Sequence, residues 1–137
     1  MRWIRFSAPI QGNGARTAFG IVEGETITEV NGCPFKGFEK TAIKHALGNV
    51  KIEIPFVPGT FYAAGLNYAA HVRDVAQKAG KEPDLPKFAD IGYRANNALI
   101  AHGEAIVIPG DATEKVQYEG ELVVVRSEER RVGKECA

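Results

Sequence analysis

The chain reads Thr17-Ala18-Phe19-Gly20-Ile21-Val22-Glu23-Gly24-Glu25-Thr26-Ile27-Thr28-Glu29-Val30 near its start, and this stretch predicts two β-strands joined by a tight turn. Its two halves are rich in β-branched and aromatic residues, which is typical of strands. Gly24 lies between them and accepts the positive φ that tight hairpins need. Trp3-Ile4-Arg5-Phe6 alternates in the same way and predicts a further strand. We therefore expect residues 1–56 to form a small N-terminal β domain.

The later part of the chain mixes helix and strand patterns. A short helix is expected at residues 41–47, and prolines at 55 and 58 indicate a linker. After the linker, residues 61–64 predict a strand that ends at Gly65, and residues 69–79 predict a helix capped by Gly80. Apolar strands are also expected at residues 98–100, 105–108 and 122–125. The expected fold class is α+β, mostly β.

Composition excludes several classes of protein. The chain has 137 residues, 45% of them hydrophobic and 25% charged, with a formal net charge of zero. A neutral chain gives no electrostatic reason to expect a nucleic-acid partner. It holds no apolar run of about 18 residues, so no membrane span is predicted, and its N-terminus lacks the apolar core of a secretion signal. With only Cys33 and Cys136, it has no disulfide framework, and a cytoplasmic location is expected.

Two carboxylates stand together in Tyr118-Glu119-Gly120-Glu121-Leu122. In a strand, Glu119 and Glu121 would point to the same face, where their charges repel unless a proton or a cation lies between them. Carboxylate oxygens suit a hard divalent cation. The alternative is a strand end with two glutamates in water, and for an isolated Glu-Gly-Glu this alternative is the stronger interpretation.

A second cluster is Gly65-Leu66-Asn67-Tyr68-Ala69-Ala70-His71, with Asp74 three residues further on. It predicts a strand that turns into a helix N-terminus, where free N–H groups point outward. His71 and Asp74 share one helix face, so the carboxylate could fix the tautomer of the imidazole and raise its basicity, as in a general base. Spacing alone favours a surface pair on a solvated helix.

Three segments taken in order resemble the fumarylacetoacetate hydrolase family. Gly65-Leu66-Asn67-Tyr68-Ala69-Ala70-His71 resembles the family pattern G-x-N-Y-x-x-H. The segment from Ala98 to Pro109 resembles its strand–turn–strand, and Tyr118-Glu119-Gly120-Glu121-Leu122 resembles its Y-E-x-E-L metal motif. The family includes acylpyruvate hydrolases, oxaloacetate decarboxylases and isomerases of catechol degradation. The resemblance implies that residues 57–125 are the incomplete start of a catalytic domain with a mixed β-roll fold.

The resemblance also implies roles for particular residues. Glu119 and Glu121 would be two of three carboxylate ligands to Mg²⁺ or Mn²⁺, and His71 would be the base with Asp74 as its acidic partner. Asn67 would contribute to substrate binding. The expected partner is a small 2-oxo or diketo acid, cleaved at a C–C bond, and the parent protein is expected to be a homodimer.

The sequence departs from the family pattern in three places. The third carboxylate ligand and a later lysine lie beyond the end of this chain. Where many members have Phe-x-Lys-Pro, the chain has Tyr93-Arg94-Ala95-Asn96. Arg94 could bind a substrate carboxylate through its planar fork, although an exposed loop arginine explains the position equally well.

Residues 126–137 have a different character from the apolar run that precedes them. From Arg126 they read Arg-Ser-Glu-Glu-Arg-Arg-Val-Gly-Lys-Glu-Cys, which resembles a translated sequencing adapter. We therefore expect this segment to be a non-native tail, and the chain to be a truncated fragment that is inactive alone. Three hypotheses follow: a parent hydrolase or lyase of 2-oxo acids, an inactive fragment of it, and a non-catalytic module that binds a metal or a partner.

Overall fold

The computed structural model describes residues 1–10, 12, 14–112 and 116–125. The elements follow the order β1 (Arg2–Pro9), β2 (Ala15–Glu23), β3 (Thr26–Cys33), β4 (Gly37–Ala46), β5 (Lys51–Ile52), β6 (Phe61–Gly65), α1 (Ala69–Lys78) and β7 (Asp90–Arg94), with 3₁₀ turns at Leu47–Asn49 and Asn96–Ala98. The expected fold class, α+β and mostly β, is confirmed. The chain divides into two compact units, each described by itself: residues 1–56 with the chain from Ile100 onward, and residues 57–99.

An antiparallel sheet in the order β4-β3-β2-β1-β5 forms the centre of the first unit. The expected hairpin is confirmed, because Glu23 pairs with Thr26 across a two-residue loop. Gly24 has a φ of 60°, which matches the positive first position of a hairpin turn. The twist of this turn suits the strands on either side, so the hairpin sets the register between β2 and β3.

The hydrophobic core lies on one face of this sheet. Strand β1 contributes alternate residues Ile4, Phe6 and Ala8, and β3 contributes Ile27. The period of two in β1 is the direct consequence of strand geometry. Gly20 lies opposite Ile4, and a Cβ there would lie 2.4 Å from Ile27 Cγ2. The absence of a side chain at Gly20 therefore lets Ile27 and Phe6 pack against the sheet.

The opposite face of the sheet is also apolar. Ile21 and Val30 are buried there, and register places Trp3 and Phe19 on the same face. The rings of Phe35 and Phe56 lie 5.0 Å apart, between centroids, beside this face. A sheet with two apolar faces needs cover on both sides.

The prediction of a helix at residues 41–47 is wrong. These residues belong mostly to β4, which pairs with β3 from Thr26–Ala46 to Cys33–Gly37. The β-branched side chains of Thr41 and Ile43 suit a strand, and the free edge of β3 supplies the backbone partners. Long-range pairing therefore overrode a weak helical pattern.

The second unit consists of the antiparallel pair β6–β7 and helix α1. The expected strand at residues 61–64 and the expected helix are confirmed, and Gly80 follows the helix with a φ of 65°. Strand β7 was not expected, because Gly92 and the preceding prolines weaken its pattern. No residue from 57 to 99 is buried.

Residues 98–100, 105–108 and 122–125 do not form the expected strands. A strand needs a neighbour for its N–H and C=O groups, and none of the described strands pairs with these segments. Their apolar side chains are largely exposed, as at Val107 and Leu122. Among the described residues, no helix is long and apolar enough to cross a bilayer.

Candidate functional site

The turn from β6 into α1 has an unusual backbone. Leu66 has a φ of 49°, and it is the one residue other than glycine with a positive φ among those described. An L-residue pays a steric cost in this left-handed region. The side chain of Leu66 is exposed, so burial does not offset that cost. Such strain is typical of turns whose geometry serves a site.

The same turn leads directly to the helix N-terminus. The residue before the helix, Tyr68, provides no side-chain cap, and the first turn holds no acidic residue. The N–H groups at this end therefore keep their partial positive charge, which attracts carboxylates. Asn67 lies in the turn and His71 in the first turn of the helix, so the two predicted residues are close along the chain.

The hydrogen bond expected between His71 and Asp74 is not formed. Asp74 Oδ2 instead accepts a hydrogen bond from Lys78 Nζ at 2.6 Å. Lys78 lies one helical turn further on and carries a full charge, which makes it the better partner at this spacing. His71 is exposed, and Asp74 does not fix its tautomer.

Arg94 is not in a loop, because it is the last residue of β7. It pairs with Phe61, whereas Gly65, where the turn into α1 begins, pairs with Asp90. Four residues of strand separate the two positions, about 13 Å. The guanidinium Nη1 donates to Tyr93 O at 3.1 Å. The sheet therefore places Arg94 at the opposite end from the turn that carries Asn67.

Asp90 is the residue that sequence reasoning missed at this turn. A Cβ on Gly65 would lie 2.9 Å from Asp90 Oδ2, so the carboxylate lies directly over the glycine backbone. The missing side chain at Gly65 leaves room for this close approach. The pairing of β7 with β6 creates the contact, and the chain offers no local signal for it.

Glu119 and Glu121 lie in an exposed segment without regular structure. Since the segment is not a strand, the alternation that would aim both side chains at one point does not apply. Neither carboxylate has a hydrogen bond or an ion pair within the described part of the chain. Over residues 1–10, 12, 14–112 and 116–125, no three His, Cys, Asp or Glu side chains cluster as a metal site. Two carboxylates do not complete the shell of about six oxygens that a hard cation requires, so the described residues do not fit a metal by themselves.

A different carboxylate has a complete set of partners. Glu29 is 2% exposed, and its two oxygens accept from Arg16 Nη2 at 2.6 and 2.8 Å. His45 Nε2 lies 2.9 Å from Glu29 Oε2. Burial alone would raise the pKa of the Glu29 carboxyl, but hydrogen bonds and charge from His45 and Arg16 outweigh it and hold the pKa below its usual range. This cluster stabilises the first unit.

Comparison of the chain with known protein families identifies its own. The model described as "Fumarylacetoacetate (FAA) hydrolase C-terminal" matches residues 60–135, which is more than half of the chain. The chain belongs to the fumarylacetoacetate hydrolase family. A second model, "Rv2993c-like, N-terminal", matches residues 1–55. The first match continues past Val125, and the prediction that residues 126–137 are a non-native tail concerns positions outside those that the structure describes.

Two relatives support membership of the fumarylacetoacetate hydrolase family without naming an activity. An uncharacterized protein of Archaeoglobus fulgidus is 35% identical over 82 residues, which cover 60% of this chain and 30% of the relative. A solved structure of a putative uncharacterized protein from Mycobacterium abscessus is 32% identical and has a TM-score of 0.63. The match covers 83% of this chain and 41% of the solved chain. The chain therefore spans less than half the length of each protein.

Members of the fumarylacetoacetate hydrolase family are enzymes of hydrolase, lyase or isomerase type, and they generally use divalent metals. The family therefore accounts for the order of the segments around Gly65 and Glu119. The roles of His71, Asp74, Asn67, Arg94, Glu119 and Glu121 stay predictions.

Proposed function

We propose that this chain belongs to an enzyme that hydrolyses a C–C bond in short 2-oxo or diketo acids, in the manner of an acylpyruvate hydrolase. The observation that carries the proposal is the left-handed turn at Leu66, which leads into an uncapped helix N-terminus. A substrate of this class carries a carboxylate, and the positive end of a helix dipole suits that group.

Each residue of the turn would have a separate role in binding or catalysis. The Asn67 amide and the N–H groups of the first helical turn would bind and orient the substrate carboxylate. His71 would accept a proton from the attacking water, because a neutral imidazole is the base suited to neutral pH. Asp74 would assist His71 only after its contact with Lys78 opens. Arg94 lies about 13 Å along the strand from this turn, which is too far for it to bind the same short substrate.

Magnesium or manganese is proposed to bind Glu119 and Glu121 together with ligands that the described residues do not supply. We derive no step through the metal, since two carboxylates leave most of its coordination open.

A second candidate reaction is decarboxylation or isomerisation of a related 2-oxo acid. The pairing of Asp74 with Lys78 favours decarboxylation in particular, because His71 then lacks a partner that would strengthen it as a base. Decarboxylation needs no base to activate water. A non-catalytic binding module is the third candidate, and the exposure of both glutamates favours that one.

Turnover measurements test the proposal. The full-length protein encoded by the source gene, loaded with Mg²⁺ or Mn²⁺, is mixed with acylpyruvates and oxaloacetate, and loss of substrate is followed. His71→Ala should lower kcat at least about a hundred-fold, the usual contribution of a general base, while Mn²⁺ affinity is unchanged. His102→Ala is the matched control, since His102 is also an exposed histidine and lies outside the turn between β6 and α1.

The outcomes separate the three candidates. Cleavage to two acids identifies a hydrolase, and release of CO₂ identifies a decarboxylase. Mn²⁺ binding that depends on Glu119 and Glu121, without turnover of any of these acids, identifies a binding module. A folded, metal-loaded protein that turns over none of them contradicts the proposed enzyme.

A further inference from the structure

The first unit has an apolar groove on the face of its sheet opposite the hydrophobic core. Trp3 and Phe19 from neighbouring strands line it, with Phe35 and Phe56 from outside the strands and Val125 from the C-terminal run. The volume left free by these side chains is about 240 Å³. Pockets that enclose a drug-sized molecule measure roughly 300–1,000 Å³, so this groove suits a few apolar side chains of a peptide segment better than such a molecule.

Among the described residues that line the groove, Arg5 is the single charged one. It follows Trp3 by two residues in β1 and pairs with Phe19 of β2, so strand geometry directs all three side chains to the groove face. Arg5 Nη1 donates to Ile54 O at 3.2 Å, which holds the guanidinium beside the aromatic rings. A segment with a carboxylate between apolar side chains would match both the rings and the charge.

The second unit exposes a segment of this composition, Glu82-Pro83-Asp84-Leu85-Pro86. Each proline fixes its own φ at about −65° and directs the residue before it to extended backbone, so only Asp84 is left unrestricted. These restrictions favour the polyproline II conformation, which repeats every three residues and places Pro83 and Pro86 on one edge, about 9 Å apart. Pro83, Asp84 and Pro86 are exposed and belong to no helix or strand of the described chain.

We propose that the aromatic groove of one copy of the chain binds the segment 82–86 of a second copy. Aromatic-lined grooves are recurrent binding sites for Pro-x-x-Pro segments, because such a segment is already extended and loses little entropy when it binds. The proline rings would pack against the aromatic side chains, and Asp84, which lies between the prolines, would pair with Arg5. Each copy supplies both a groove and a segment. The docking involves neither the metal nor the reaction of the proposed function.

A synthetic peptide of residues 81–87 tests the groove, with the emission of Trp3 as the readout, because Trp3 is the single tryptophan of the chain. Titration of the 137-residue chain with this peptide should shift the emission to the blue and reach saturation, since the peptide removes the indole from water. The matched control peptide carries Pro83→Ala and Pro86→Ala and should give no shift. The proposal is overturned if the natural peptide gives no saturable shift, or if the control peptide gives an equal one.

A pair of substitutions tests the contact between Asp84 and Arg5. Asp84→Asn in the peptide and Arg5→Gln in the chain should each weaken binding several-fold, and the two together should weaken it no further than either one alone. Arg2→Gln is the matched control, since Arg2 is an exposed arginine of the same strand that does not line the groove. Circular dichroism checks that both chain variants keep the sheet. An Asp84→Asn peptide that binds the parent chain as tightly as the natural peptide overturns the pairing without any change to the chain.

Sedimentation of the chain tests the second copy as the occupant. The weight-average mass should rise with concentration, and Pro83→Ala with Pro86→Ala should lower it at the same concentration. Pro109→Ala is the matched control, because Pro109 is an exposed proline outside the segment, and it should leave the mass unchanged. A peptide that binds while the two proline substitutions leave the mass of the chain unchanged overturns a second copy as the occupant.

Discussion

Glu29 shows how one charged residue is accommodated on an apolar face. Glu29 lies two residues after Ile27 in β3, so strand geometry directs its side chain to the same, core-facing side of the sheet. Gly20 stands opposite it and offers no side chain. Arg16 from β2 and His45 from β4 therefore reach its two oxygens, and the ring of His45 lies 5.0 Å from that of Phe6. An isolated buried carboxylate would be strongly destabilising, and these two partners remove that cost.

The lowered pKa of Glu29 predicts that the folded state loses stability in acid. A carboxyl whose pKa is lower in the folded state stabilises the fold above its ordinary value of 4.5. That contribution is lost as the pH falls through the lower, folded-state pKa. Urea unfolding of the parent should show a fall in the free energy of unfolding below about pH 4.5 that is smaller in Glu29→Gln. Equal pH dependence in the two proteins would contradict the assignment.

We expect the substitution Gly20→Ala, which adds one methyl group, to create a packing defect. Its Cβ would meet Ile27 Cγ2 at 2.4 Å and Phe6 Cε1 at 3.1 Å. Because Phe6 and Ile27 are fully buried, neither can move aside cheaply. Gly20→Ala should lower the free energy of unfolding by about 1–3 kcal/mol in urea titration.

Gly48→Ala is the matched control for this substitution. Nothing lies within 4 Å of a Cβ at Gly48, and its φ is not in the left-handed region. Its free energy of unfolding should stay within about 0.5 kcal/mol of the parent. A comparable loss in both variants would contradict packing as the cause.

The elements of the second unit differ from those of the first in burial. Strands β6 and β7 pair over five residues, and the rings of Tyr62 and Tyr93 lie 4.8 Å apart, but both side chains are exposed. A two-stranded sheet is marginally stable in water without further packing. The first unit, by contrast, buries Phe6, Ile21 and Ile27 almost completely.

Hydrogen exchange should separate the two units. Amides of β6 and β7 should exchange about a hundred-fold faster than those of β1 to β3, since local opening exposes no buried surface. Mass spectrometry of peptides from residues 61–65 and 2–9 makes the comparison. Equal protection would mean that β6 and β7 are covered by more than their own pairing.

The molecule as a whole exposes much apolar surface. Ile106, Val107 and Ile108 are consecutive and are 77%, 84% and 57% exposed, and Leu122 and Val124 are 83% and 75% exposed. Scattered apolar residues are ordinary on a surface, but contiguous patches favour association. Ile106, Val107 and Ile108 are β-branched and pair with none of the described strands, a combination that favours strand addition between copies of the chain.

The chain should therefore self-associate as its concentration rises. Val107→Lys adds a charge to the patch and should lower the weight-average mass in sedimentation or light scattering at the same concentration. Thr60→Lys is a control with the same added charge at an exposed position outside the patch. A parent that stays monomeric at all concentrations would contradict this prediction.

Local patterns were enough for the elements whose signals come from neighbouring residues. The hairpin around Gly24, the strand at Phe61 and the helix ended by Gly80 follow from alternation, turn chemistry and capping, all of which act over a few residues. The same is true of the order of motifs that places the chain in the fumarylacetoacetate hydrolase family. The assignments of residues 126–137, of the metal and of the site roles stay predictions.

Pairing between distant segments settled the rest. Residues 41–46 are a strand because they pair with β3, and residues 122–125 are not, because none of the described strands pairs with them. Asp90 reaches Gly65, and Arg16 and His45 reach Glu29, only through register. A backbone hydrogen bond or an ion pair needs a partner within about 3 Å, and which distant residue supplies that partner is a property of the folded chain that no local pattern carries.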